Sequence, residues 1–111
     1  MVGPGKLTEF PHAPSESFYT LDLSILQHTY NEWTETLPSV KPFYAVKCNP
    51  EPRIIEELAH LGSNFDCASP VEIQLVLDAG VEPDRILYAN PCKRVQDIAF
   101  AKDRKIVRTT F

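Results

Sequence analysis

From Lys41 onward the chain repeats one beat. A short run of β-branched and aromatic residues is followed by a polar turn and then by apolar residues at helical spacing. Phe43–Lys47 reads as a strand. Pro50-Glu51-Pro52 opens a helix, with proline in the first turn where its missing N–H costs little. Ile54, Ile55, Leu58 and Leu61 line that helix, and Gly62 ends it. Asn64–Ala68 is the next strand. Ser69 caps a second helix, Pro70 sits in its first turn, and Glu72 falls at the capping-box position. Ile73, Val76 and Leu77 form its stripe before Gly80. Arg85–Asn90 predicts a third strand, Val95–Lys102 a short helix, and Lys105–Thr110 a fourth strand.

Ahead of this beat, Phe18-Tyr19-Thr20-Leu21 reads as a short strand. Asp22 is placed to cap a helix running to about Thr36. Leu23, Leu26 and Tyr30 share one face of that helix, Ile25 and Trp33 widen it, and Leu37-Pro38 stops it. Residues 1–17 carry Pro4, Pro11, Pro14, Gly3 and Gly5 and read as a flexible leader, which leaves residues 18–111 as the folded part.

Strands alternating with helices at intervals of roughly 20 residues imply βαβ units and a parallel sheet. Four strands are too few for a closed barrel, which takes eight strands and about 250 residues. Two α/β architectures fit: a small open sheet, or the first four strand–helix units of a partial (β/α)8 TIM barrel. Ile106–Phe111 is strand-like to its last residue, and a bare closing strand favours the barrel.

A net charge of −4 offers no basic footprint for nucleic acid or anionic lipid, and no apolar run could span a bilayer. The first residues lack the apolar core of a secretory signal, which makes the cytoplasm the expected location. Cys48, Cys67 and Cys92 are an odd set without metal-ligand spacing, read as packing thiols. His12, His28 and His60 are scattered and suggest no metal site.

Lys47 carries the chemistry. An amine at the end of an apolar strand loses hydration, and burial frees its lone pair for Schiff-base formation. A strand-end lysine that snorkels to water is the bland alternative. Ala45 shares the face of Lys47 and leaves room for a flat ring. On the neighbouring strand Asp66 faces the same way and can meet Lys47 at the C-terminal rim. A solvated turn explains Asp66 equally well, and a helix cap already explains Glu72. Asn90-Pro91-Cys92-Lys93 reads as an ordinary βα turn.

Three segments in order, Pro42-Phe43-Tyr44-Ala45-Val46-Lys47-Cys48-Asn49, Asn64-Phe65-Asp66-Cys67-Ala68-Ser69 and Tyr88-Ala89-Asn90-Pro91-Cys92-Lys93, resemble the N-terminal part of the ornithine decarboxylases. These belong to the barrel class of pyridoxal-phosphate decarboxylases that also acts on arginine, lysine and diaminopimelate. The resemblance runs from about Phe18 to the end. It implies an alanine-racemase-like barrel domain, incomplete here, and a segment at Phe18–Thr20 that pairs with a separate β-domain. It implies pyridoxal 5'-phosphate as cofactor, held covalently by Lys47, with Ala45, Asp66 and Glu72 around it. It implies ornithine as substrate, putrescine as product, and a homodimer in the full-length enzyme. No glycine-rich phosphate cradle is left among Gly3, Gly5, Gly62 and Gly80, so the 111 residues alone are expected to be inactive. The alternatives are an arginine or lysine decarboxylase of the same class, a non-catalytic relative that binds decarboxylase protomers or their regulators, and a stand-alone α/β binding domain.

Overall fold

A computed structural model describes residues 15–111. Helix α1 spans Ser24–Thr36. Strand β1 (Phe43–Ala45) runs into a 3-10 turn at Val46–Cys48. Helix α2 (Pro52–Leu61), strand β2 (Asn64–Cys67) and helix α3 (Pro70–Asp78) follow. A second 3-10 turn at Pro83–Arg85 precedes strand β3 (Ile86–Tyr88), helix α4 (Val95–Asp103) and strand β4 (Arg108–Thr109). The strands form one sheet in the order β1-β2-β3-β4, and every pairing is parallel. This is the expected α/β architecture of successive strand–helix units.

From Phe65 onward, burial alternates along the central strands. Phe65, Cys67, Ile86 and Tyr88 are buried, whereas Asp66 and Leu87 between them are only partly so. The buried set meets Ile54, Ile55, Leu58, Ile73, Val76 and Ala101 from the helices in one core. Phe65 is fully buried at its centre. Truncating it to alanine should cost about 3–5 kcal/mol. On the opposite face the register sets Ala45, Asp66, Leu87 and Arg108 in one row across the sheet. None of these four is buried. Parallel sheets want both faces covered, and here the described residues cover one.

The helix ends follow the sequence closely. Ser69 Oγ accepts from the Glu72 backbone N–H at 3.3 Å, which caps α3. Gly62 takes φ +100°, so its N–H reaches Ala59 O while the Ser63 N–H reaches Leu58 O. That left-handed step closes α2 and turns the chain into β2. Asp22 Oδ1 accepts from the Ser24 backbone N–H at 3.0 Å, satisfying a free donor at the start of α1.

Four expectations are corrected. Phe18–Leu21 forms no strand; its backbone takes no ladder position, and Phe18 and Tyr19 lie exposed. Ile25 and Trp33 do not extend the buried face of α1. Trp33 is turned instead so that its indole Nε1 donates to Val40 O at 2.7 Å, pinning the chain that leads to β1. The fourth strand shrinks to two residues, because Lys105 takes φ +62° and Ile106 N bonds back to Ala101 O. The first strand ends at Ala45 rather than Lys47. The expected leader at residues 1–17 lies mostly outside the described residues.

Candidate active site

The C-terminal ends of parallel strands are where barrel and open α/β proteins place their chemistry. Lys47 stands there, but not as a buried strand residue. It is the middle residue of the Val46–Cys48 turn and is exposed. The reason is local. The chain tightens after Ala45, Val46 drops fully into the core, and Lys47 is turned out over the uncovered sheet face. The buried lysine read from the sequence is therefore an exposed one.

Asp66 lies on β2, paired in register with Ala45. Burial raises its carboxyl above the usual carboxylate range, the positive charge of Lys47 pulls it back, and the negative charge of Glu72 raises it further. Lys47 and Glu72 are thus each close enough to act on Asp66. Ala45 beside Asp66 adds only a methyl group, which leaves the floor between the two strands low.

Glu72 is committed to the backbone as well. Its Oε1 accepts from the Ala68 N–H at 3.4 Å, and its Oε2 accepts from Ser69 Oγ at 3.1 Å. The capping role read from the sequence and the position beside Asp66 are both present. One carboxylate closes the helix and faces the site.

Sequence reasoning missed Asn90. Its Nδ2 donates to Ala68 O at 3.0 Å, and its Oδ1 accepts from the Cys92 N–H at 3.0 Å. The side chain thereby joins the β2–α3 turn to the β3–α4 turn. An asparagine directly after a strand and two residues before a free N–H was the available signal. The cysteine reading holds for Cys67 alone. Cys67 is buried and its thiol is pushed up to about 12, mainly by burial. Cys48 and Cys92 are exposed, since both fall in turns beyond the strand ends.

Parallel strand–helix units with a lysine, two carboxylates and a small residue at one rim define a class: part of an α/β barrel with polar groups gathered at the C-terminal ends of its strands. The chain belongs to the pyridoxal-dependent decarboxylases, whose pyridoxal-binding domain matches residues 23–111. Among its relatives, the ornithine decarboxylase of Saccharomyces cerevisiae is 50% identical over 95 residues, covering 86% of this chain and 20% of the yeast protein. The arginine decarboxylase of Paramecium bursaria Chlorella virus superposes with a TM-score of 0.79 at 39% identity, covering 80% of this chain and 24% of the viral one. The lysine decarboxylase of Selenomonas ruminantium superposes with a TM-score of 0.86 at 32% identity, covering 100% of this chain and 30% of its own. The chain spans about a fifth of the length of the yeast relative.

Proposed function

We propose that this chain is the lysine-bearing part of a pyridoxal 5'-phosphate-dependent decarboxylase that converts L-ornithine to putrescine. One observation carries the reading: an accessible Lys47 amine stands at the strand rim within electrostatic reach of Asp66, which Glu72 backs. The donor set fits the cofactor in one respect, the amine for covalent attachment beside a low, uncrowded floor at Ala45. When bound, pyridoxal 5'-phosphate supplies the electron sink that takes up the charge left as CO₂ departs.

This chain's own residues then have distinct tasks. Lys47 holds the cofactor through its Nζ. Asp66 gives the amine a carboxylate to face and keeps it over the sheet. Glu72 holds the rim rigid through Ala68 and Ser69 and adds negative charge behind Asp66. Ala45 leaves the floor open. The three named relatives act on ornithine, arginine and lysine, and the match in sequence to the yeast protein favours ornithine. A homodimer in the cytoplasm belongs to the same reading. Three free cysteines fit a reducing compartment, although a Nicotiana glutinosa relative is named as chloroplastic.

The test replaces the matching segment of the yeast enzyme with residues 18–111 of this chain. Putrescine formation, lost on Lys47→Ala, is expected. A chimera that folds and loses no activity on Lys47→Ala would refute the assignment. The isolated 111-residue chain should show negligible turnover.

A further inference from the structure

The turn that carries Lys47 is held at both ends. At its start Val46 is fully buried among the core side chains. At its exit the Tyr44 hydroxyl donates to the Asn49 carbonyl oxygen at 3.0 Å. The same hydroxyl meets the Cys48 side chain. The ring behind that hydroxyl is fixed in turn, because Tyr44 sits edge-on against the buried Phe65, with centroids 6.5 Å apart and planes at 83°. Asn49 continues the chain of restraints, its Oδ1 accepting from the Glu51 N–H at the start of α2. Only three residues lie between Ala45 and Asn49, and the exposed Lys47 is the middle one. The backbone beneath it has little freedom while both ends are tied.

We propose that Tyr44 is a positioning residue: its hydroxyl latches the Val46–Cys48 turn and so aims the Lys47 amine at Asp66. The proposal deepens the cofactor-lysine reading above and names a residue that acts through Lys47. A lysine stem has four rotatable bonds, so its aim depends on the backbone from which it starts. A loosened turn spreads the amine over more solvent and weakens its hold on the carboxylate.

The charged groups acting on Asp66 are Lys47 and Glu72. Asp66 is therefore a reporter of where the Lys47 charge sits, with no cofactor needed. The experiment follows the Asp66 side-chain carboxyl by carbon-13 NMR across a pH titration of the 111-residue chain. Lys47→Ala sets the full effect of losing the amine. Tyr44→Phe keeps the ring against Phe65 and removes only the hydroxyl. It is expected to raise the Asp66 midpoint by about half a pH unit, in the same direction as Lys47→Ala. In the Lys47→Ala background the same change should add nothing, because the effect runs through the lysine. Incorporating 4-aminophenylalanine at position 44 restores a donor and should return the midpoint to its original value. An unmoved midpoint in Tyr44→Phe, an equal shift in the Lys47→Ala background, or no rescue by the amino analogue overturns the proposal.

A parallel measurement separates the two readings. The chain is mixed with pyridoxal 5'-phosphate, reduced with borohydride, and the label at Lys47 is compared with that at Lys41. Preferential labelling of Lys47, reduced about threefold or more by Tyr44→Phe, is expected. If the titration behaves as stated while Lys47 and Lys41 label equally, the latch stands and the cofactor reading fails. If Lys47 labels preferentially and Tyr44→Phe changes neither label nor midpoint, the cofactor reading stands and the latch fails.

Discussion

Asn90 extends the β2–β3 ladder with its side chain. The last backbone bond of that ladder runs from Ala89 N to Cys67 O at 2.8 Å, and one residue on, Asn90 Nδ2 takes over by donating to Ala68 O at 3.0 Å. Glu72 holds the N–H of the same Ala68. One residue at the rim is therefore gripped on both its backbone groups by side chains from helix α3 and from the β3–α4 turn.

Asn90→Ala should lower stability by about 1–2 kcal/mol, the range for stranding a part-buried carbonyl. The loss should be local. Amide exchange at Ala68 and Ser69 should speed up while Phe65 in the core stays protected, read by hydrogen exchange with NMR detection. Uniform exchange across β2 would show that Asn90 supports the whole strand rather than its end.

Arg85 does similar work at the opposite end of the sheet. One guanidinium nitrogen donates to Ala59 O at 2.9 Å and to Ser63 O at 2.6 Å, closing the C-terminal turn of α2. Cations suit helix C-termini, where carbonyls lack partners. Arg85→Met keeps the aliphatic stem and should cost about 1.5–3 kcal/mol by urea denaturation, the value for hydrogen bonds to a charged group. A loss no larger than that of an exposed surface change would show that water replaces the guanidinium freely.

Much of this architecture was legible because local signals agree with tertiary ones. Pro52 and Gly62 bracket α2, Ser69 and Glu72 start α3, and the apolar spacing of Ile54, Ile55, Leu58, Ile73 and Val76 marks what the core then buries. What stayed hidden depends on contacts that periodicity does not encode. Phe18–Leu21 has strand composition, but composition does not say which edge a strand would join, and the segment takes no place in the sheet. Lys47 ends an apolar run, yet its burial depends on what covers the second face of the sheet. Asn90 looked like turn filler because its partner, Ala68, lies 22 residues away. Within the site, Lys47 and Glu72 both act on Asp66; adjacent strand ends suggested the Lys47–Asp66 approach, whereas Glu72 was legible only as the capping residue of α3.

The three cysteines should separate by reactivity. Cys48 and Cys92 are exposed, whereas Cys67 is buried with its thiol pushed up to about 12. The thiolate is the reacting form, so burial and a raised pKa both protect Cys67. Iodoacetamide at neutral pH should label Cys48 and Cys92 in the folded chain and Cys67 only in denaturant, as read by peptide mass spectrometry. Rapid native labelling of Cys67 would mean that β2 opens readily.

Asp66 should make the chain's stability fall as pH rises. Burial, the largest effect on it, raises its carboxyl above the ordinary value, and Glu72 adds to this while Lys47 opposes it. Between the ordinary carboxylate pKa and the raised one, the folded chain holds more of this proton than the unfolded chain does. Stability linked to this group is therefore complete below the ordinary value and is lost as pH climbs through the raised one. Asp66→Asn removes the titration. It should leave stability unchanged in acid and raise it at neutral pH, with the gain growing in the Lys47→Ala background, where no cation offsets the buried charge. Urea denaturation at several pH values on either side of the carboxylate range reads this directly. An Asp66→Asn chain that is less stable at neutral pH would mean that the Lys47 attraction outweighs burial, and that Asp66 is held in place by the amine rather than kept at a cost for it.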